Sequence, residues 1–158
     1  MNDEKIKIFL VDDDSVYIKL LEIELLSQGD FDIETYGTGE LCLENLSHSP
    51  DVIVLDYYLD GIQKNAMTGI ETLDKIKAVN SEIAVIVLSG QDSIDIAISC
   101  MHHKAFDYVV KSETAFLRLK KIIPAIFQYK KMEKQLKWYM ERMWCFFKNE
   151  YLQIYLMS

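Results

Sequence analysis

The sequence is poor in the residues that cross-link or interrupt small folds. Its 158 residues include three cysteines, two prolines and six glycines. The cysteines, Cys42, Cys100 and Cys145, are odd in number and form no Cys-x-x-Cys pair, which argues against a disulfide framework or a zinc site and favours a reducing, cytoplasmic setting. The three histidines lack a helical two-ligand spacing, so a polar helix end explains the adjacent pair at 102 and 103 better than a metal site.

Long hydrophobic runs are also missing. The apolar runs are strand-sized, and the apolar stretch from 144 to 157 is interrupted by Lys148 and Glu150, so we expect neither a membrane span nor membrane association. No signal peptide pattern is evident at the start. With 50% hydrophobic residues, a chain of this length can bury one sizeable core. We therefore expect one globular domain with an appendage.

The net charge of −8 is unevenly distributed along the chain. Residues 1–111 hold 8 Lys/Arg against 21 Asp/Glu, whereas residues 112–158 hold 9 against 4. An acidic body repels backbone phosphates, so we expect no nucleic-acid partner.

Apolar periodicity predicts five strands. Four segments are short and almost continuously apolar, as buried strands are, and a fifth alternates apolar with polar residues, which predicts an edge strand or one exposed face. The buried segments are Ile6–Val11, Val52–Leu55, Ile83–Leu88 and Phe106–Val110, and the alternating one is Phe31–Tyr36.

Helix-sized stretches separate these strands, at Val16–Leu26, Glu40–Leu46, Ile70–Val79 and Ile94–His102. In the first, Val16, Leu20, Ile23 and Leu26 follow helical spacing and predict an amphipathic face. Regular alternation of strand and helix, with right-handed crossovers, predicts a doubly wound α/β fold with a parallel sheet.

Polar side chains follow the predicted strands, where sites lie in such sheets. These residues are Asp12, Asp13, Asp14, Asp56, Ser89 and Lys111. Clustered carboxylates repel one another unless a hard cation binds them, and oxygen-only ligands favour Mg²⁺. A lysine and a serine hydroxyl can bind phosphoryl oxygens, so the set predicts a phosphoryl-transfer site with an aspartate nucleophile.

Four motifs follow four strands in order: Ile-Phe-Leu-Val-Asp-Asp-Asp at 8–14, Val-Ile-Val-Leu-Asp at 52–56, Ile-Val-Leu-Ser-Gly at 86–90 and Asp-Tyr-Val-Val-Lys at 107–111. Together they resemble the response-regulator receiver domain of two-component signalling. The resemblance covers about four-fifths of the chain. It implies a flavodoxin-like sheet of order 2-1-3-4-5, with residues 1–128 as the receiver domain.

The resemblance also implies roles at the acidic end of the sheet. Asp56 would accept a phosphoryl group from a histidine kinase or phosphotransfer protein. Asp13 would bind Mg²⁺ directly, Asp12 would act largely through water, and the backbone carbonyl of Tyr58 would complete the protein ligands with Asp56. Asp14 is instead expected to cap the first helix.

A further set of implied residues would report the phosphorylation state. Lys111 would pair with the phosphoryl oxygens, Ser89 would move to hydrogen-bond one of them, and Tyr108 would swing inward into the space that Ser89 leaves. The phosphorylation state of Asp56 would then be relayed to the face formed by the fourth helix, fifth strand and fifth helix.

The sequence departs from the family pattern at three places. Asp56 and Gly69 are thirteen positions apart, where about eight is usual, so we expect an insertion filled by residues 61–66. Ser112 stands where the family has a proline after the lysine, which puts the family's cis peptide in doubt. Tyr58 and Gln91 occupy positions whose side chains often influence access of hydrolytic water.

The chain is predicted to be helical from Ala115 to its end, with Pro124 kinking or restarting the helix. Residues 129–158 form the expected helical extension. An apolar stripe at 3.5-residue spacing, interrupted by glutamates, indicates a coiled coil or a partner-binding helix. The stripe consists of Leu136, Met140, Met143, Phe147, Ile154 and Met157. We rank a homodimer or protein partner first, packing on the chain's own domain second and a membrane surface third.

Three other functions are weighed against the phosphorylation-dependent switch, which would have no separate catalytic output domain. An aspartate-nucleophile phosphatase usually carries a second aspartate two positions after the first, where this chain has Tyr58. A flavin carrier needs a hydroxyl- and glycine-rich loop after the first strand, which this sequence lacks. An interaction module that keeps the receiver fold without phosphorylation would not require Asp12, Asp13, Asp56 and Lys111 together.

Overall fold

Strands and helices alternate five times. The computed structural model describes residues 5–59, 61 and 65–157. The strands are β1 (Ile6–Val11), β2 (Phe31–Tyr36), β3 (Val52–Asp56), β4 (Ala84–Ser89) and β5 (Asp107–Val110). The helices are α1 (Ser15–Leu26), α2 (Gly39–Glu44), α3 (Gly69–Val79), α4 (Ile94–His102) and α5 (Ala115–Met157), and a 3-10 turn, Leu46–His48, follows α2.

The five strands form one parallel sheet in the order β2-β1-β3-β4-β5. This confirms the predicted doubly wound fold and strand order. β2 lies at an edge, as its alternating pattern indicated. The prediction of a buried strand at 106–110 was wrong, because β5 lies at the other edge, where Phe106 is 48% exposed and only Val109 of the strand is buried. Every residue of β3 and β4 is buried, because helices cover both faces of such a sheet. Because the strands are parallel, the carboxyl ends of β1, β3, β4 and β5 lie side by side along what is called here the carboxyl edge of the sheet.

The predicted apolar face of α1 was wrong. Val16, Leu20 and Ile23 are exposed, at 67%, 54% and 56%, and the helix packs instead through a face that includes Leu21 and Leu25. Eight of the twelve residues of α1 are apolar, so more than one face fits a helical period. The helix therefore presents an apolar face to solvent beside the carboxyl end of β1.

The predictions for the other helices hold with two adjustments. α2 ends at Glu44, and Asn45 separates it from the 3-10 turn. The helix does not restart at Pro124, because α5 is continuous with this residue inside it; a proline removes only one hydrogen bond from such a long helix. No peptide bond between described residues is cis, so the bond before Ser112 is trans.

The chain divides into two compact units, residues 1–123 and 124–158. The first contains the sheet. The second is helical through Met157. Ile126 is buried in it, whereas the large apolar side chains from Tyr129 onward that the structure describes are exposed, from 49% at Trp138 to 89% at Met157. No helix in the described part of the chain combines the length and apolarity that crossing a bilayer requires. The predicted boundary at residue 128 remains a prediction.

Candidate functional site

Three aspartates converge at the carboxyl edge of the sheet. Asp12 and Asp13 directly follow β1, and Asp56 is the last residue of the neighbouring strand β3. Each offers a carboxylate oxygen, and these oxygens all lie within 4.8 Å of one another. Asp12 and Asp56 are buried, at 4% and 3% exposure. The cluster is an oxygen-only donor set, which suits Mg²⁺.

Asp14 is not a member of this cluster, and its side chain caps α1, as predicted. Its carboxylate accepts the backbone N–H groups of Val16 and Tyr17 at 3.0 and 3.1 Å. These amides have no partner within a helix, so the cap fixes the first turn of α1 immediately after the acidic pair.

Lys111 follows β5 and supplies the positive charge of the site. Its Nζ donates to Asp12 Oδ2 at 2.6 Å and lies 3.0 Å from Asp56 Oδ1. Burial alone would lower the pKa of Lys111, but its hydrogen bond to Asp12 and the charge of Asp56 outweigh burial and raise that pKa. The lysine therefore stays an ammonium ion.

One ammonium ion does not balance three carboxylates. Burial, followed by the charge of Asp12, raises the pKa of Asp56 to about 6. Burial also raises the pKa of Asp12, against the opposing hydrogen bond from Lys111. Asp56 is thus largely ionised at neutral pH, but in an environment that favours an added positive charge.

Ser89, Tyr58 and Tyr108 meet at one residue, Gln91. The Ser89 hydroxyl, which is fully buried, accepts the Gln91 backbone N–H at 3.1 Å. The Tyr108 hydroxyl donates to the Gln91 backbone carbonyl, and the Tyr58 hydroxyl donates to Gln91 Oε1 at 3.3 Å. The loop after β4 is therefore tied to β5 and to the segment after β3.

The loop after β3 approaches the acidic cluster closely. The Gly61 backbone N–H donates to Asp13 Oδ2 at 3.1 Å. At the far end of the loop, a Cβ on Gly69 would lie 2.3 Å from the carbonyl oxygen of Asp56, so only glycine fits there. Residues 62–64 of the predicted insertion lie outside the described residues.

A family model for the response regulator receiver domain matches residues 8–123, the part of the chain that contains the sheet and the acidic cluster. The chain belongs to this family. The protein-glutamate methylesterase/protein-glutamine glutaminase of Clostridium acetobutylicum is 38% identical over 119 residues, which make up 72% of this chain and 32% of that protein. The transcriptional regulatory protein ZraR of Klebsiella oxytoca is 32% identical over 111 residues, or 70% of this chain and 24% of that protein.

Solved structures give the same family. A response regulator receiver domain protein from Clostridium thermocellum superposes with a TM-score of 0.70 at 27% identity, covering 80% of this chain and 97% of that one. The BeF3-activated receiver domain of DrrB gives 0.69 at 26% identity and covers 79% and 99%. The chain spans about a third or less of these two curated relatives, so their whole-protein activities do not carry over to this receiver domain.

The receiver domain brings the predicted side chains together at one edge of its sheet. Asp12, Asp13, Asp56 and Lys111 form a single cluster, and Ser89 is joined to Tyr108 through Gln91. The proposed ligand role of the Tyr58 carbonyl remains a prediction. Sequence reasoning did not single out Tyr17, whose ring lies beside Lys111; only its nearness to Asp13 in the sequence could have drawn attention to it.

Proposed function

We propose that this receiver domain is a phosphorylation-dependent signalling switch that accepts a phosphoryl group on Asp56. The observation that carries the proposal is the position of Asp56. It is buried at the end of β3, within 3.0 Å of the Lys111 ammonium ion and among two further carboxylates. A carboxylate nucleophile next to a fixed positive charge is the arrangement that an aspartyl-phosphate requires.

The reaction follows from these groups. One Asp56 oxygen attacks phosphorus in a phosphohistidine, the phosphorus–nitrogen bond breaks, and the electron pair leaves with the imidazole. Lys111 then pairs with a phosphoryl oxygen. Asp12, Asp13 and Asp56, with the Tyr58 carbonyl, would hold Mg²⁺, which when bound would offset the charge of the phosphoryl oxygens. The surplus of carboxylates over ammonium ions in the cluster supports this assignment.

The contacts of Gln91 support a switch role for Ser89 and Tyr108. In the structure the Ser89 hydroxyl accepts the Gln91 backbone N–H, and because a hydroxyl also carries a proton to donate, it can turn that proton toward a phosphoryl oxygen. Tyr108 is hydrogen-bonded to the same loop and packs partly buried against the core. A shift of Ser89 would therefore reach Tyr108 and the α4–β5–α5 face.

The phosphoryl donor is proposed to be a histidine kinase or a phosphotransfer protein. A protein donor must cover the approach to Asp56. Helix α1 comes shortly after Asp12 and Asp13 in the chain. Its exposed face, which includes Val16, Leu20 and Ile23, offers an apolar surface for such contact.

The proposed partner of the helical extension, residues 129–158 and hereafter the tail, is a second copy of the chain. Members of its apolar stripe, among them Leu136, Met140 and Phe147, are 52–61% exposed. An apolar helix face of this size is stabilised by burial against another helix. Because α5 enters the tail from the first unit, phosphorylation could influence this association.

The deciding experiment is intact-mass measurement after incubation with acetyl phosphate and Mg²⁺. The wild type is expected to gain one phosphoryl group, and Asp56→Asn is expected to gain none. Folding of both proteins is checked by circular dichroism. A folded wild type that gains no phosphoryl group would contradict the proposal and favour the interaction module, whereas sustained turnover of phosphate esters would favour the phosphatase.

A further inference from the structure

Tyr17 lies in the first turn of α1, between the acidic cluster and the start of α5. Its ring has the Lys111 Nζ positioned over it, 4.6 Å from the ring centroid. Phe116, in the first turn of α5, stacks on the same ring at a centroid separation of 6.1 Å and an interplanar angle of 24°. The ring therefore links the ammonium ion of the site to both helices.

Neither the backbone nor the hydroxyl of Tyr17 explains why its side chain lies beside Lys111, which leaves the aromatic ring. The backbone is fixed, because Asp14 accepts the Tyr17 N–H. The hydroxyl is buried and has no hydrogen-bond partner among the described residues. A buried hydroxyl without a partner is costly, so the hydroxyl does not explain the position of this side chain. The contacts with Lys111 and Phe116 do.

Lys111 needs such a contact. A lysine is a point charge on a flexible four-carbon stem, and two carboxylates 2.6 and 3.0 Å away compete for it. An aromatic face attracts a cation, more strongly when water is partly excluded. The ring thus restricts the directions in which the Lys111 ammonium ion can move away from the acidic cluster.

We propose that Tyr17 is a positioning residue for phosphoryl transfer and acts through Lys111. The inference rests on the proposed function of Asp56. With acetyl phosphate, an Asp56 oxygen attacks phosphorus, the bond from phosphorus to the acetyl oxygen breaks, and the electron pair leaves with acetate. Lys111 must exchange a carboxylate oxygen for a phosphoryl oxygen during this step, and the ring keeps the ammonium ion close while it does so.

The kinetic test compares Tyr17→Leu with Tyr17→Phe in the full chain. Phosphorylation by acetyl phosphate with Mg²⁺ is followed over a range of donor concentrations. The limiting rate constant for phosphorylation of Asp56, here called kcat, is thereby separated from the half-saturating donor concentration, KM. We expect Tyr17→Leu to lower kcat roughly three- to tenfold, the loss of a partly desolvated cation–π contact, with KM little changed. Tyr17→Phe keeps the ring and should stay within about twofold of the wild type.

Phe106→Leu is the matched control, since it removes an exposed aromatic ring at the opposite end of β5. Its kcat should equal that of the wild type.

A second readout needs no phosphorylation: the NMR chemical shifts of the Lys111 ε-methylene protons. The Tyr17 ring should shift these signals in the wild type and in Tyr17→Phe, and the shift should disappear in Tyr17→Leu.

The outcomes separate the two proposals. A wild-type kcat in Tyr17→Leu, or an equal loss in Tyr17→Phe, overturns the positioning role while Asp56 remains the phosphoacceptor. A wild type that takes up no phosphoryl group overturns both. Folding of each variant is verified from the dispersion of the same NMR spectra. A slow Tyr17→Leu that keeps the wild-type Lys111 shifts also overturns the proposal, because the effect would not pass through Lys111.

Discussion

The negative charge of Asp56 lowers the free energy of unfolding of the protein. A carboxyl whose pKa is higher in the folded than in the unfolded chain binds its proton more tightly when folded. For Asp56 the pKa rises from 3.8 to about 6. The contribution of this group to the free energy of unfolding therefore falls as pH increases from about 4 to about 6, and the destabilisation is fully present at neutral pH.

We accordingly expect Asp56→Asn to be more stable than the wild type at pH 7.5 without Mg²⁺, by about 3 kcal/mol. Lys111 keeps Asp12 as its partner in this variant. The advantage should shrink at pH 4, where the carboxyl of the wild type is protonated. Urea denaturation with a chelator present measures both values. A difference that is equal at the two pH values would contradict the charge explanation.

The side chains of Tyr58 and Gln91 bridge two loops at the mouth of the site. Because Tyr58 is 42% exposed, its hydrogen bond at 3.3 Å is modest. We expect Tyr58→Phe, which removes only the hydroxyl, to speed loss of the phosphoryl group by about two- to fivefold through easier access of water. Gln91→Leu removes the acceptor and should do the same. Loss of phosphate over time measures the rate, and an additive effect in the double variant would contradict the shared bond.

At the scale of a single helix, three consecutive aspartates precede α1 and have different roles. Asp12 and Asp13 belong to the acidic cluster, whereas Asp14 caps the helix. Asp14→Ala removes the cap of α1 and should lower the free energy of unfolding by about 1 kcal/mol, as measured with urea. Since Asp14 lies outside the acidic cluster, Mg²⁺ affinity should be almost unchanged. Asp13→Ala is the matched control and is expected to weaken Mg²⁺ binding strongly. A comparable loss of Mg²⁺ binding in both variants would assign Asp14 to the site.

The elements also show what the sequence could predict. Strands such as β3 and β4 were predicted to within a residue of their bounds, because a continuous apolar run has one stable environment, the middle of a parallel sheet. The packing face of α1 was predicted wrongly, because its apolar residues surround the helix and more than one face fits a helical period. The contact of Tyr17 with Lys111 joins residues 94 positions apart in the chain, and no local pattern encodes it.

At the scale of the whole molecule, the placement of the site followed from topology. Once the parallel sheet is predicted, the ends of β1, β3 and β5 must lie along one edge, so Asp12, Asp56 and Lys111 meet without any knowledge of side-chain packing. Gln91 was noted for its position, but its three hydrogen bonds depend on loop conformation. The loop after β3 differs in length from the family pattern, and sequence gives no template for its path.

The tail provides the last test. We expect the full chain to be a dimer by analytical ultracentrifugation and a chain ending at residue 129 to be a monomer. Placing glutamates at Leu136, Met143 and Phe147 puts charges in the apolar stripe, where each buried side chain would contribute about 1.5–3 kcal/mol, and should give monomers. Lys131→Gln with Lys134→Gln changes the polar face alone and should leave the dimer intact. A full chain that is monomeric at all concentrations would exclude self-association, and the exposed stripe would then require a different protein partner.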